Sequence, residues 1–314
     1  MTERPDRRRF LECMAWAGTG TLWTMSGGLA ASVSLDTALA APKHMKSKVK
    51  PFTFLQVSDS HIGFAKPANP DTHVTYREAV AKIKAMPNKP DFIIHTGDVS
   101  QLSKPQEFDD ADQILSEAGI ATFHVPGEHD MLDEGTGKFF LERYGKSANA
   151  KGDGWYSFDH SGVHFIALIN VKLLNAGGSG HLGDEQIAWL KSDLADRPSS
   201  QPIVVFTHVP LWALYPQWGW GTDDAAPAMA ELRRFGSVTV LNGHIHQIQQ
   251  NVEGNITFHT ARSTAFPQPA PGTPGASPGP LKVPADQLRS VLGIRTVNVV
   301  NGKEPLALID APLA

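Results

Sequence analysis

The chain has 314 residues, 41% hydrophobic and 19% charged, enough for one large globular domain or two small ones with a sizeable core. A formal net charge of -4, with no basic run beyond the first residues, argues against the Lys/Arg stripe that a nucleic-acid binder presents. The single Cys13 excludes an internal disulfide and a cysteine-based zinc site, which makes the 13 histidines the reserve of metal donors.

Residues 1–40 read as an address rather than as structure. The basic "RRRFLE" precedes a mildly apolar stretch rich in Gly, Ala and Thr, and "ALA" before Ala41-Pro42 places cleavage after Ala40. The stretch from Ala15 to Val33 is interrupted by glycines and hydroxyls, so it is a poor membrane-spanning helix. It is similar to a twin-arginine export signal with Arg7 and Arg8 as the pair; the competing reading is a disordered basic arm. Export implies the twin-arginine machinery as partner and a periplasmic or secreted mature chain without stable membrane insertion. Cys13 would leave with the signal, and the mature chain would carry no thiol.

One domain is expected over residues 50–314, where short β-rich apolar runs alternate with helical patterns in the manner of an α/β fold. In chain order come "FTFLQV" (52–57), the helical "YREAVAKIKAM", "DFIIH" (91–95), the helical "PQEFDDADQILSEAG" and "ATFHV" (121–125). A hairpin follows in "WYSFDHSGVHFIALI", turning at Ser161-Gly162, then the helical "DEQIAWLKSDLA" and the runs "PIVVF" (202–206) and "VTVL" (238–241). The second and third helical patterns open with acidic residues, which suits a helix N-terminus. Two more hairpins are legible at Glu253-Gly254-Asn255 and Asn301-Gly302. Between them, residues 266–284 are rich in Pro and Gly and are expected to form an exposed loop or insertion. There is no internal repeat.

Each of the five single strand runs ends in residues that can bind a metal. After the first comes Asp59-Ser60-His61, after the second Gly97-Asp98, after the third Gly127-Glu128-His129-Asp130, after the fourth His208, and after the fifth Gly243-His244-Ile245-His246. In open α/β sheets, sites form outside the carboxyl ends of strands, so these residues are expected to converge. Any one His at a strand end is more often a satisfied core or surface residue; five such endings together favour ligation. Asp-x-His and His-x-His would each put two donors on one side of an extended segment, where side chains alternate with period two. Glycines at 97, 127 and 243 would let the backbone turn beneath the cations. A mixed imidazole and carboxylate set suits two ions of iron, manganese or zinc better than magnesium or calcium.

The series D-x-H, G-D, G-E-H-D, H and G-H-x-H, spread over roughly residues 52–260, resembles the calcineurin-like metallophosphoesterase superfamily. The resemblance implies a four-layer αββα sandwich of two mixed sheets with a dinuclear site at one edge. Asp59, His61, Asp98 and His246 would hold one metal, and Asp98, Glu128, His208 and His244 the other, with Asp98 bridging. His129 would bind phosphate and protonate the leaving oxygen, while a metal-bridging hydroxide attacks phosphorus. Position 128 departs from the superfamily pattern, which has Asn there. The extra carboxylate should tighten cation binding and weaken Lewis acidity; a Glu128 turned to solvent would do neither.

Phosphoprotein phosphatases of this type show an Arg soon after G-D and G-N-H; "GDVSQLSK" and "GEHDMLDE" have none, and "GDVSQ" resembles the cyclic-nucleotide and small-molecule phosphodiesterase branch. Trp212, Tyr215, Trp218 and Trp220 either line a pocket that stacks an aromatic leaving group or pack on one another. Asp130 either orients His129 or caps the following segment. His44, His73, His95, His124, His160, His164, His181 and His259 are assigned to structure or surface. The expected function is an exported hydrolase of a small phosphomonoester or phosphodiester; the rival is an exported metal-binding protein of the same fold without catalysis. Substrate and metal identity are not legible.

Overall fold

A computed structural model of the chain describes residues 21–26, 29–34, 49–133, 137–145, 150–172, 178–300 and 307–313. The chain divides into two units, residues 1–48 and 49–314. In the first, β1 (Thr21–Ser26) pairs antiparallel with β2 (Leu29–Ser34). The Arg7-Arg8 pair and the Ala40 cleavage site of the expected export signal lie outside the described residues, as does His44. Among the described residues no helix is long and apolar enough to cross a membrane.

The second unit begins with β3 (Phe52–Val57), α1 (Thr72–Lys84), β4 (Ile93–His95), α2 (Pro105–Ser116) and β5 (Thr122–His124). It continues through the hairpin β6 (Tyr156–His160) and β7 (Val163–Ala167), then α3 (Asp184–Leu194), β8 (Ile203–Thr207), α4 (Ala225–Leu232) and β9 (Val238–Asn242). Two antiparallel pairs follow, β10 (Gln250–Glu253) with β11 (Ile256–Thr260), and β12 (Gly293–Val299) with β13 (Ala307–Pro312). Local chemistry sets the helix starts. Asp71 accepts the His73 amide at 3.0 Å before α1, and Pro105 opens α2 where a missing N–H costs nothing. The turn joining β12 to β13 lies outside the described residues.

Two mixed sheets result, one ordered β13-β12-β3-β4-β5 and the other β10-β11-β9-β8-β7-β6. Alternation along single strands explains the layering. Phe54 and Ile94 face a core shared with Phe165, Phe206 and Leu241 of the other sheet, whereas Leu55 and Ile93 face the opposite way onto Tyr76 and Ala79 of α1 and Phe108 of α2. On the six-stranded sheet, Val204 points inward and Val205 outward onto Leu190 of α3 and Leu232 of α4. The architecture is thus helices, sheet, sheet, helices, as expected. Strands buried on both faces read as continuous apolar runs, which made them legible. Helix α4 was not; "AAPAMAEL" is short and holds Pro227.

β3, β4 and β5 run parallel, as do β7, β8 and β9. Each set therefore delivers its carboxyl ends to one edge. Residues 266–284 hold no helix or strand and are mostly exposed at their tip, but Phe266 and Pro267 at their start are buried.

Candidate metal centre

Beyond the strand ends the backbone is unusual. Asp59, His61, Asp98, His244 and His246 have φ of 52°, 42°, 53°, 67° and 57°, the left-handed region that costs a non-glycine residue about 1–2 kcal/mol. The expectation that Asp-x-His and His-x-His lie on extended chain is therefore wrong. The strands have already ended, and left-handed turns curl the chain so that Asp59 and His61 fall in one donor group while His244 and His246 fall in different ones. Bonds between loops hold this conformation: Asp59 N to Gly97 O at 3.0 Å, His61 N to Asp98 O at 2.9 Å, and Gly243 N to His208 O at 3.0 Å. Glycine is required where loops touch: a Cβ at Gly127 would overlap the Asp98 carboxylate, and one at Gly97 (φ 94°) the His208 ring.

The donors form two groups whose atoms lie within 4.8 Å of one another: Asp59, His61, Asp98 and His246 in one, Glu128, His208 and His244 in the other. Asp98 Oδ2 lies 3.4 Å from both His61 Nε2 and His208 Nε2, so it stands between them. His246 Nε2 is 3.2 Å from Asp59 Oδ1 and 3.3 Å from His61 Nε2. Glu128 does not turn to solvent; its oxygens lie 2.9 Å from His208 Nε2 and 2.9 Å from His244 Nδ1.

The donor set fits cations. His208 Nδ1 donates to Thr96 O at 2.6 Å, His246 Nδ1 to Phe266 O at 2.6 Å, and His61 Nδ1 to Gln101 Oε1 at 3.1 Å. Fixing the outer nitrogen as the N–H leaves each Nε2 lone pair aimed inward. Glu128 Oε2, His208 Nε2 and His244 Nδ1 are buried without a hydrogen-bond partner despite their 2.9 Å separations. They are close enough to pair as charges but not aligned to bond one another, and a cation at their convergence would satisfy all three. Burial pushes His61 down to about 3 against the pull of Asp98, so it stays a neutral donor. Burial works against ionisation of Glu128, yet His244 and His208 hold it well below the carboxylate range. Burial likewise opposes a charged His208, but Asp98 and Glu128 raise it well above the ordinary value. A proton on Nε2 then stands where a cation would compete for the same lone pair.

His129 joins Asp98 and Glu128 in a third convergent group. Its Nδ1 donates to the Gln101 carbonyl at 2.8 Å, and its amide donates to Asp98 Oδ1 at 2.9 Å. Burial would lower its imidazolium, but Asp98, Glu128 and the Gln101 carbonyl outweigh this and raise it. Asp130 does not touch the His129 ring. It caps the amides of Val99 (3.0 Å), Ser100 (2.8 Å) and Gly127 (3.0 Å), tying the loop after β4 to the loop after β5. Burial and the Asp98 charge raise it to about 7 against those amides.

Sequence reading missed Gln101, whose amide lies 3.1 Å from both the His61 and the His129 Nδ1; its presence in "GDVSQ" was the one available signal. It also missed a buried chain behind Asp59. Arg295, paired with Asp310 at 2.9 Å, donates to Gln56 Oε1 at 3.2 Å; Gln56 donates to Thr96 Oγ1 at 3.1 Å, Thr96 to Ser58 Oγ at 2.7 Å, and Ser58 to Asp59 Oδ2. Nothing local in the sequence links residues so far apart. Of the histidines assigned to structure, His164 bonds Asp193 at 2.7 Å, His160 Asp91 at 2.7 Å and His181 Asp223 at 2.7 Å. Trp218 and Trp220 line the cavity over the donors, whereas Trp212 packs on Phe258 at 5.2 Å and Tyr215 on Trp218 at 5.1 Å.

Known proteins resemble this chain in sequence and in fold. A 3′,5′-cyclic-nucleotide phosphodiesterase of Nostoc sp. is 23% identical over 225 residues, covering 69% of this chain and 79% of that protein. A glycerophosphodiester phosphodiesterase of Enterobacter lignolyticus is 25% identical over 210 residues, covering 63% and 71%. Among solved structures, a dimetal phosphatase from Danio rerio superposes with a TM-score of 0.59 at 14% identity, covering 83% of this chain and 99% of that one. A purple acid phosphatase from yellow lupin gives 0.61 at 13%, covering 91% and 54%; at such identity these two establish the fold alone. The family profile of the calcineurin-like phosphoesterases matches residues 52–248, and the chain belongs to that family of metal-dependent phosphoric ester hydrolases.

Proposed function

We propose that this chain is an exported hydrolase of a small phosphoester, a phosphodiester in preference to a monoester, working with two cations of manganese, iron or zinc. The observation that carries the reading is the pair of donor groups on either side of Asp98 with His129 beside them. Asp59, His61, Asp98 and His246 would hold one cation and Asp98, Glu128, His208 and His244 the other. Bound there, the cations supply Lewis acidity toward phosphoryl oxygens and a water acidic enough to attack phosphorus. Asp98, between the two groups, would donate to both. His129, with Nδ1 bonded to the Gln101 carbonyl, has Nε2 free to carry a proton to the departing oxygen. Asp130 keeps that loop in place. A cavity of about 380 Å³ over the donors suits a small molecule. The diester preference is supported by the activities named for the Nostoc and Enterobacter relatives and by the lack of Arg in "GDVSQLSK" and "GEHDMLDE".

A second reading, metal binding without turnover, is favoured by one feature: Glu128 reaches into the cavity between His208 and His244. Metal analysis of protein from its native compartment, then a screen of mono-, di- and cyclic phosphoesters, separates the two. Hydrolysis of none by metal-replete protein sinks the enzymatic reading. Export is tested by replacing Arg7 and Arg8 with Lys: precursor should accumulate in the cytoplasm, and a normal yield of mature periplasmic protein would refute a twin-arginine signal.

A further inference from the structure

We infer that the cavity over the donors is a slot for a flat apolar leaving group, one wall of which is the Pro/Gly-rich segment 266–281. The inference rests on the phosphoester-hydrolase reading above and names the substrate class within it. Apart from the donors, the cavity is lined chiefly by Phe64, Phe266, Trp218, Trp220, Pro278 and Pro280. Lys66, its ammonium 6.0 Å from the centre of the Phe64 ring, and two glutamines also line it. Gln101 Oε1 accepts from His61 Nδ1 at 3.1 Å and its Nε2 lies 3.1 Å from His129 Nδ1, and Gln268 donates to His244 O at 2.7 Å while accepting the Gly279 amide at 2.9 Å. Hydroxyls of a polyol leaving group would therefore give up water for few partners, the Lys66 ammonium chief among them. A ring or other planar apolar group meets aromatic and prolyl faces instead.

The walls are fixed rather than adaptable. Trp218 stands edge to face against Trp220 at 5.0 Å and Tyr215 at 5.1 Å, and Trp220 is itself buried. Phe266 packs on Phe64 at 4.3 Å and on the His61 and His246 rings, each at 4.7 Å. The Gln268 side chain joins the outgoing leg of the segment to its return leg, and Leu281 N to Pro267 O at 2.8 Å closes the loop behind it. Gln247 adds bonds to Gln268 O at 2.9 Å and Pro269 O at 2.6 Å. Segment 266–281 is thus fastened to the loop that bears His244 and His246, and its prolines present a preformed surface.

The test uses the manganese-loaded full chain and two methyl phosphodiesters whose departing alcohols have similar acidity, 2-phenylethanol and propanol. Wild type should favour the phenylethyl ester in kcat/KM by about tenfold, the scale of one well-placed ring contact. Trp218→Ala should reduce that ratio to about two, and Gln268→Ala should reduce it through KM, with bound manganese and thermal midpoint confirming that each variant is folded. A wild-type ratio near one, or a ratio unchanged in Trp218→Ala, overturns the slot. If wild type hydrolyses neither ester, calorimetric binding of the matching phenylethyl and propyl phosphonates decides. Tighter phenylethyl binding, lost in Trp218→Ala, supports the slot while sinking the hydrolase reading; equal binding overturns the slot as well.

Discussion

Glu128→Asn removes the carboxylate that departs from the superfamily pattern. Both Glu128 oxygens lie 2.9 Å from imidazole nitrogens of His208 and His244, and its side chain is 24% exposed, so the charge is largely withdrawn from water. At an effective dielectric constant of about 20, a unit charge about 4 Å away interacts with a carboxylate by roughly 4 kcal/mol. The Asn carbonyl recovers part of this as a neutral donor, and water at the exposed edge screens more, leaving a net loss of about 2–3 kcal/mol. The dissociation constant of the second cation should therefore rise about 30- to 150-fold. The first cation, held by Asp59, His61, Asp98 and His246, should change by no more than a few-fold. Stepwise manganese binding by calorimetry, repeated with iron(II), resolves the two events. Equal affinities for both steps in wild type and Glu128→Asn would show that Glu128 does not coordinate, and the convergence of its oxygens with His208 and His244 would need another explanation.

Three further outcomes follow from the geometry. His129→Ala should retain both cations and lose about 10²- to 10⁴-fold in kcat on an ester with a poor leaving group; an unchanged rate would remove His129 from proton transfer. His124, stacked on Tyr144 at 3.9 Å, is lowered by burial from 6.5 to about 4. The unfolded chain takes up that proton below about pH 6.5 and the folded chain only near 4, so stability falls as pH drops through this window, by at most about 3 kcal/mol. His124→Phe should flatten that part of the profile in urea titrations of metal-free protein, and an equally steep profile would contradict it. Ser161 and Gly162 turn the β6–β7 hairpin with φ of 49° and 89°, a two-residue turn that favours Asn-Gly, so Ser161→Asn should stabilise by about 0.5 kcal/mol; a lower urea midpoint would argue against that turn type.

The site was more legible than the walls around it. Each donor follows an apolar run, and parallel strands in one layer must release their carboxyl ends at one edge, so Asp59, Asp98, Glu128, His208 and His244 could be brought together without coordinates. What failed was conformation. Extended spacing and left-handed turns leave the same letters, and only the positive φ at Asp59, His61, His244 and His246 distinguishes them. Gln101 and Gln268 act through single amides, which no periodicity marks. The Pro and Gly content of segment 266–284 speaks against regular structure, but its role as a wall depends on Gln247 and Gln268 bonding across loops. Arg295 reaches Asp59 only through a relay of three side chains.

The donors belong to different sheets. Asp59, His61, Asp98 and Glu128 follow β3, β4 and β5, while His208, His244 and His246 follow β8 and β9. Polar bonds already cross that edge, among them His208 Nδ1 to Thr96 O at 2.6 Å, Gln56 to Asn242 O at 3.0 Å and His244 N to Asp59 Oδ1 at 3.0 Å. Two cations there would rivet one sheet to the other, so a slide between the layers would have to stretch coordination bonds before it disturbed the apolar core. The sandwich then has one edge stiffened by coordination, while the opposite edge is joined by packing and by the bonds of Lys50 N to Ser161 O at 3.0 Å and His160 to Asp91 at 2.7 Å. Chelation should open it like a book along the riveted edge, with amide exchange quickening first at His129 and His244, whose N–H groups bond to Asp98 and Asp59, while the centres of β4 and β8 stay protected.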